Sequence, residues 1–212
     1  MAEPTGFRQN ESPHRHATAP REIDDTPPAP RELEVLRSFL SLHDHNPGDP
    51  RSLPPSLESI EWWLRANGLL ADDAEAHVDE LGLAAEVLGA LRSRVGDADD
   101  ADDAERERDH DAISQVLNAA ARSAGLQARF DLGTLESHAG GVSGAVGKIL
   151  GLAFLSQLDG TWKNFKDCGS ATCRSVFYDR SKNHSGKWCS MQTCGNRAKV
   201  RAFRERRTAA NP

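Results

Sequence analysis

The four cysteines of this 212-residue chain constrain its fold more than any other feature, because they form two Cys-x4-Cys pairs close together near the C-terminal end. Cys168 and Cys173 make the first pair, Cys189 and Cys194 the second, and fifteen residues separate the pairs. Two pairs at such a separation can close four thiolates around Zn²⁺. Four thiolates leave no position for water, so the spacing predicts a structural zinc site rather than a catalytic one. An iron centre or four unbound thiols are the alternatives.

Positive charge is concentrated around these cysteines. Residues 160–212 contain twelve Lys and Arg against three acidic residues, a net charge of +9, whereas the whole chain carries −6 and residues 1–159 therefore carry −15. A segment so basic has too little apolar material for a core of its own, and metal binding supplies the missing stability. The charge division predicts a polyanionic partner for the basic segment and a different role for the acidic one.

The residues around the cysteines predict a short hairpin, a loop and a helix. Val176, Phe177 and Tyr178 are typical of a strand, and the turn-rich run 179–186 indicates a loop. His184 in that loop is a weaker candidate ligand than the cysteines, and we expect it to be a loop or phosphate-contacting residue. Ser190 is placed to begin a helix through Arg207. One face of this helix is expected to be turned towards the metal; its residues are Met191, Cys194, Ala198 and Ala202.

A neighbouring arc of the same helix is rich in arginine, which suits a phosphate backbone or the major groove of DNA. The candidate nucleic-acid contacts, on this helix and on the preceding loop, are Arg180, Lys182, Lys187, Asn196, Arg197, Lys199, Arg201 and Arg204. A solvated helix end would explain only two or three of these cations. Two other partners stay open: an acidic protein surface, and single-stranded RNA stacked on Phe177, Tyr178 or Trp188.

The remainder of the chain predicts a mainly α-helical domain. We expect a disordered, proline-rich leader over 1–30, a helical domain over 31–160 with a small β-hairpin, a zinc finger over 161–208 and a tail over 209–212. Helices are predicted from Glu32, after an N-cap at Ser56, and over 73–95, 104–124 and 142–158, with the hairpin over 126–138.

Two faces of these helices are specified more closely. In the helix over 73–95 the buried stripe is expected to comprise Ala74, Val78, Leu81, Ala85, Leu88 and Val95. In the helix over 142–158, which is apolar nearly all round, one face is lined by Gly140, Gly144, Gly147 and Gly151. Such a face either lets a neighbouring backbone approach closely or forms a ligand groove.

Several classes of protein are excluded at this level. The sequence has no uninterrupted run of eighteen apolar residues and no secretory leader, so we expect a cytoplasmic protein without a membrane span. The acidic run from Asp97 resembles a calcium loop, but Asp102 and Arg108 stand where that loop needs Gly and Glu. Phosphate-loop, nucleophile-elbow and His-Glu-x-x-His motifs are all missing, and we do not expect an enzyme.

The run from Trp188 to Lys199, which includes Cys194-Gly195-Asn196-Arg197, resembles the CGNR zinc-finger proteins, named for Cys-Gly-Asn-Arg. Phe177-Tyr178-Asp179-Arg180-Ser181 and the upstream Cys-x4-Cys fit the same pattern. Residues 31–150 more loosely resemble the ABATE domain that accompanies this finger in bacterial proteins described as stress-induced transcription regulators. That likeness includes Trp63-Leu64 and Gly68-Leu69-Leu70, and Gly160-Thr161-Trp162 leads into the finger as in that family.

The resemblance implies a bacterial transcription regulator that binds DNA through its zinc finger, with a small-molecule or protein effector acting on the helical domain. One departure concerns Phe39-Leu40-Ser41-Leu42, where the family reads Phe-Val-Asn-Thr. Any role of that Asn-Thr pair is therefore absent or has moved. The alternative function is a zinc-stabilised module that binds protein or RNA.

Overall fold

The computed structural model of the chain describes residues 26–45, 52–95, 103–170 and 172–209. Within these ranges there are six α-helices: α1 (Leu33–Leu40), α2 (Leu57–Ala66), α3 (Val78–Arg92), α4 (Asp103–Ser123), α5 (Gly141–Leu158) and α6 (Asn196–Ala209). Three antiparallel pairs of strands accompany them: β1 (Asp44–His45) with β2 (Ser52–Leu53), β3 (Leu126–Arg129) with β4 (Thr134–Ser137), and β5 (Phe165–Asp167) with β6 (Val176–Tyr178). The predicted mainly helical class is confirmed. Most of the predicted leader lies outside the described residues.

Local sequence signals set the ends of α2. The Ser56 hydroxyl accepts a hydrogen bond from the backbone N–H of Ser59, as expected for an N-cap. At the other end Gly68 adopts φ +66°, a conformation that favours glycine, and the chain leaves the helix there. Both predicted boundaries of this helix are confirmed.

The prediction for α3 is wrong at its N-terminal end and over part of its buried face. The helix begins at Val78, not at residue 73, and Val78 is 69% exposed. Its buried residues are Leu81, Ala84, Val87, Leu88, Ala90 and Leu91. The predicted stripe fails because α2, α4 and α5 all pack around this helix, so its apolar contacts are not confined to one face.

Helix α5 is the central element, as predicted, and its glycine-lined face holds the β3–β4 hairpin. A Cβ on Gly147 would lie 2.6 Å from the Cβ of Ser137 and 2.9 Å from that of Ala124. At Gly151 the added atom would lie 3.4 Å from the Cβ of Leu135. The glycines therefore serve close packing, and the hairpin covers the face that a ligand groove would have needed.

Among the described helices, α5 alone is long and apolar enough to cross a membrane, but 56% of that segment is buried inside the fold. It lies in one hydrophobic core with residues of α1, α2 and α3, including Phe39, Trp63 and Leu88. The burial accounts for its composition, since a helix surrounded by other helices is apolar on all sides.

The β5–β6 hairpin joins the zinc-finger segment to the helical core. Phe165 and Val176 belong to the same buried cluster as the helices. The backbone N–H of Val176 donates to the Ser41 hydroxyl at 3.0 Å, and its carbonyl accepts from that hydroxyl at 3.0 Å. Arg37, 4% exposed, donates to the same carbonyl at 3.3 Å and forms an ion pair with Glu34 at 2.6 Å. The finger is thus anchored on α1.

Candidate metal centre

The elements of the C-terminal segment bring all four cysteines to one place. Cys168 directly follows β5 and Cys173 shortly precedes β6, so the first pair closes the end of this hairpin. Cys189 follows the loop after β6, and Cys194 lies in the single π-helical turn Met191–Gly195 that leads into α6. The Ser190 hydroxyl caps that turn by accepting from the N–H groups of residues 192 and 193. This confirms the predicted helix start.

The sulfur positions fit a tetrahedral zinc site. All four Sγ atoms lie within 4.8 Å of one another. The Cys173–Cys189 and Cys189–Cys194 pairs are both 3.7 Å apart. A tetrahedron with Zn–S bonds of ~2.3 Å has sulfurs about 3.8 Å apart, whereas a disulfide needs about 2.05 Å. The residues present therefore hold structural zinc, and the predicted cofactor is confirmed.

The electrostatics of the cluster also require a cation. Hydrogen bonding with Cys168 and Cys173 raises the pKa of the Cys189 thiol, and hydrogen bonding with Cys173 raises the pKa of Cys168 to about 11. Hydrogen bonds with Cys168 and Cys189 in turn lower the pKa of Cys173. These close thiols thus oppose one another's ionisation, and a bound divalent metal supplies the compensating charge that thiolate ligands need.

Two glycines let Trp188 cover the cluster. A Cβ on Gly169 would lie 3.3 Å from the indole ring of Trp188, and one on Gly195 would lie 3.4 Å from the same ring. Gly195 is also closed by the Met191 sulfur, at 2.7 Å from such a Cβ. Because that sulfur belongs to the flexible end of a side chain that is 52% exposed, an alanine at Gly195 would displace the Met191 side chain. Trp188 and Cys173 are partly buried against the cluster's buried members, Cys168, Phe177, Cys189 and Cys194.

A buried carboxylate organises the loop between β6 and Cys189. The Asp179 side chain is 3% exposed; its Oδ2 accepts from Lys166 Nζ at 2.7 Å and from the Gly186 N–H at 2.8 Å. Its Oδ1 accepts from the Ser181 N–H at 2.9 Å. Burial alone would raise the pKa of Asp179, but these hydrogen bonds hold the pKa well below its usual range. In the sequence Asp179 was recognised only as part of the motif at 177–181 and the loop, with no role of its own, although it is one of three acids in the basic segment.

Arg92 of α3 forms a second link between the helical core and the metal centre. Its guanidinium donates to the Arg174 carbonyl at 2.9 Å, pairs with Asp167 at 3.1 Å and also donates to the Leu40 carbonyl. Burial lowers the pKa of Arg92, which the Asp167 charge opposes. Arg174 and Asp167 immediately adjoin the first two cysteines. One cation therefore holds the hairpin end against both α1 and α3.

The candidate nucleic-acid contacts are all exposed at the surface of the C-terminal segment. On the loop the exposed residues are Arg180, Lys182 and Lys187; on α6 they are Asn196, Arg197, Lys199, Arg201 and Arg204. His184, also exposed, lies in the same loop with φ +47°, and its backbone carbonyl accepts a hydrogen bond from Lys166 Nζ. None of the cations among the candidates forms an ion pair within the described part of the chain. The loop cations and the first turn of α6 thus lie close to the cysteines in the chain, and Arg201 and Arg204 lie farther out along the helix.

The predicted metal-facing stripe is wrong at Met191 and at Ala202. Cys194 is buried and Ala198 is half-buried, but Met191 is 52% exposed and Ala202 is exposed. Every residue from 199 to 208 is exposed. The helix therefore leaves the cluster after one turn and projects outward, which exposes Val200 and Phe203 together with the arginines.

Comparison with known proteins identifies the class of the metal site. Residues 164–207 match the family model of the CGNR zinc finger, and this range contains all four cysteines, β6 and most of α6. No curated protein matches the chain. The C-terminal segment is thus a CGNR-type four-cysteine zinc finger. The predicted ABATE identity of residues 31–150 and the proposed domain bounds stay predictions.

Proposed function

We propose that this protein is a bacterial DNA-binding transcription regulator that works in the cytoplasm, with the finger as its DNA-binding part. The supporting observation is that α6, which begins two residues after a metal ligand, extends from the fold with its cations exposed and in no ion pair with the described residues. Arg197, Lys199 and Arg201 lie on its first two turns, close to the rigid anchor at Cys194. A preorganised cationic helix loses little conformational entropy when it binds a phosphate backbone.

The loop next to the finger supports the same proposal. Asp179 fixes its two ends by accepting from the backbone of Ser181 and Gly186. Arg180 precedes the first of these anchor points, Lys182 lies between them and Lys187 follows the second, and all three are exposed. The carboxylate that orders the loop is itself neutralised by Lys166, so it does not cancel the loop's positive charge. Loop and helix together provide cations before and after the second cysteine pair.

Salt dependence of duplex binding tests this function. Fluorescence anisotropy with a labelled duplex is measured over a series of salt concentrations for the full zinc-loaded chain. Each phosphate contact contributes roughly 0.9 to the slope of log K against log salt. Arg201→Ala should therefore weaken binding and reduce the slope by about one. Lys148→Ala, which removes an exposed cation of α5 in the helical domain, is the matched control and should leave the slope unchanged.

An unchanged slope for Arg201→Ala would remove this residue from the DNA contacts. Equal weakening by Lys148→Ala would mean that net charge, rather than the finger, determines binding. Equal or tighter binding of single-stranded RNA would favour the RNA alternative. The aromatic residues that would serve it are already used in the fold: Phe177 is buried with the cysteines, and Tyr178 packs edge-on against Phe165 at 5.2 Å.

A protein partner is the second candidate, and the exposed apolar residues of α6 favour it. Val200 is 49% exposed and Phe203 is 54% exposed, with the Arg207 guanidinium 5.9 Å from the centre of the Phe203 ring. A helix that binds only phosphates has little use for them. Phe203→Ser should leave DNA affinity nearly intact if DNA is the partner, and should abolish binding if an amphipathic protein groove is the partner.

The helical domain is proposed to receive the signal. It carries the acidic charge, and α3 reaches the finger directly through Arg92. A ligand or partner protein that changed the position of α3 would therefore act on the segment that holds the first cysteine pair.

A further inference from the structure

A groove of about 480 Å³ lies in the helical domain between α3, α4, α5 and the β3–β4 hairpin. Most of its wall is apolar: Leu91 from α3, Leu117 from α4, Leu126 and Leu135 from the hairpin, and Leu150 and Phe154 from α5. Its volume lies within the range of roughly 300–1,000 Å³ that small-molecule sites occupy. Phe154 is 49% exposed at its edge, so the groove opens to solvent.

Two arginines interrupt this apolar wall. Arg94, just after α3, and Arg122, on the last turn of α4, both line the groove together with Asn118 and Gln157. Among the described residues, the lining contains no carboxylate, although residues 1–159 carry a net charge of −15. Two cations facing one apolar groove in an otherwise acidic domain make it complementary to a single anionic group.

The two arginines differ in how they are held. Arg94 donates to Nε2 of His110 at 2.9 Å, and its own carbonyl accepts from the Trp162 indole at 3.2 Å. Arg122 forms no ion pair within the described part of the chain. One guanidinium is therefore positioned in advance, and the second is available to a ligand. Guanidinium groups bind a carboxylate through paired, charge-assisted hydrogen bonds.

From these observations we infer that the groove binds a small apolar carboxylate, with its body against the leucines and its head group at Arg94 and Arg122. The inference rests on the proposed function only in naming this molecule as the effector; binding itself does not depend on DNA. A neutral apolar molecule would leave both arginines unused, and a hydrophilic anion would leave the leucine wall exposed.

The inference is tested by calorimetric titration of the full zinc-loaded chain with decanoate in the absence of DNA. Decanoate is kept below the concentration at which it forms micelles. Decanol serves as the neutral counterpart with the same chain. We expect saturable binding of one decanoate per chain, and binding of decanol weaker by about tenfold or more, because it cannot form the charge-assisted bonds. Absence of saturable decanoate binding, or equal binding of the two molecules, would overturn the inference.

Variants locate the head group. Arg122→Gln should weaken decanoate binding by about tenfold and leave decanol binding unchanged. Lys148→Gln removes a cation of the same domain that does not line the groove, and it should leave both affinities unchanged. Equal losses in the two variants would overturn the assignment of the head group, as would saturable binding retained in full by Arg122→Gln. Circular dichroism of each variant verifies that the helices are intact.

The outcomes also separate this inference from the proposed function. If the chain binds decanoate but not DNA, the inferred site stands and the proposed regulatory function fails. If the chain binds DNA but not decanoate, the proposed function stands and the inferred site fails. A second copy of the chain is the other occupant that an apolar groove can have, and sedimentation at the titration concentrations detects such a dimer. A dimer that decanoate does not dissociate would overturn the inference.

Discussion

Replacement of the buried carboxylate at Asp179 should destabilise the finger more than any other change to the basic segment outside the cysteines. In Asp179→Asn one carboxylate oxygen becomes an NH₂ group, while Lys166 and the two backbone N–H groups continue to point at the side chain. The loss should be about 1–3 kcal/mol, less than for a fully buried ion pair, because Lys166 is 26% exposed and keeps the His184 carbonyl as an acceptor. For a chain of this size that loss lowers Tm by about 2–12 °C.

The pKa of this carboxylate sets the pH of the measurement. The pKa of Asp179 is lowered in the folded protein. Its contribution to stability is therefore complete above the pKa of an aspartate in the unfolded chain, about 3.9, and is lost as the pH falls from there through the lower pKa of the folded state. Melting at pH 7 with excess zinc therefore measures the full contribution and keeps the thiolates bound to metal.

A matched control and a double variant make the result specific. Asp73→Asn, in the exposed loop before α3, should melt within about 2 °C of the parent. The double variant with Lys166→Met should lose less than the sum of the two single losses by about 1 kcal/mol or more, since both remove the same ion pair. Purely additive losses, or an Asp179→Asn variant as stable as the Asp73→Asn control, would refute this explanation.

Two further predictions concern the helical core. Gly147→Ala should destabilise the protein by about 1–3 kcal/mol, because the added Cβ would enter the hairpin. Gly89→Ala, at a position of α3 with open space around it, should stabilise the protein by about 0.5–1 kcal/mol. Denaturant unfolding measures both changes, and equal effects would contradict the close packing of the hairpin on α5. Arg92→Leu should lower the free energy of unfolding by about 1–2 kcal/mol, a value kept small because Asp167 is half exposed. Hydrogen exchange should become faster at the β5–β6 hairpin. Unchanged exchange there would contradict the link between the hairpin and α3.

The sequence predicted the elements whose signals are local. The cysteine spacing is a property of a short segment, and the cap at Ser56 depends only on residues within one turn. The glycines of α5 predicted either the close approach of a neighbouring backbone or a ligand groove, and only the position of the hairpin decides for close packing. The zinc site, most of the helices and the β3–β4 hairpin could therefore be predicted without any long-range contact.

What could not be predicted depends on contacts between distant parts of the chain. Arg37 is an ordinary helix residue in the sequence, yet it is buried beneath Val176, and Arg92 reaches Asp167 across the fold. The strand at 165–167 contains Lys and Asp and lacks the apolar alternation of a strand; it exists because β6 pairs with it. The outward course of α6 was missed because a helical wheel assumes a neighbour along its full length.

The central claim is that zinc bound by four cysteines holds a cationic helix in place, and elemental analysis combined with limited proteolysis tests it most directly. The reduced, purified chain should contain one zinc ion per molecule. Removal of the ion by a chelator, or the change Cys189→Ser, should make residues after Cys168 sensitive to protease while α1 to α5 stay protected. Metal-free protein whose C-terminal segment resists protease as well as the zinc-loaded form would contradict the claim.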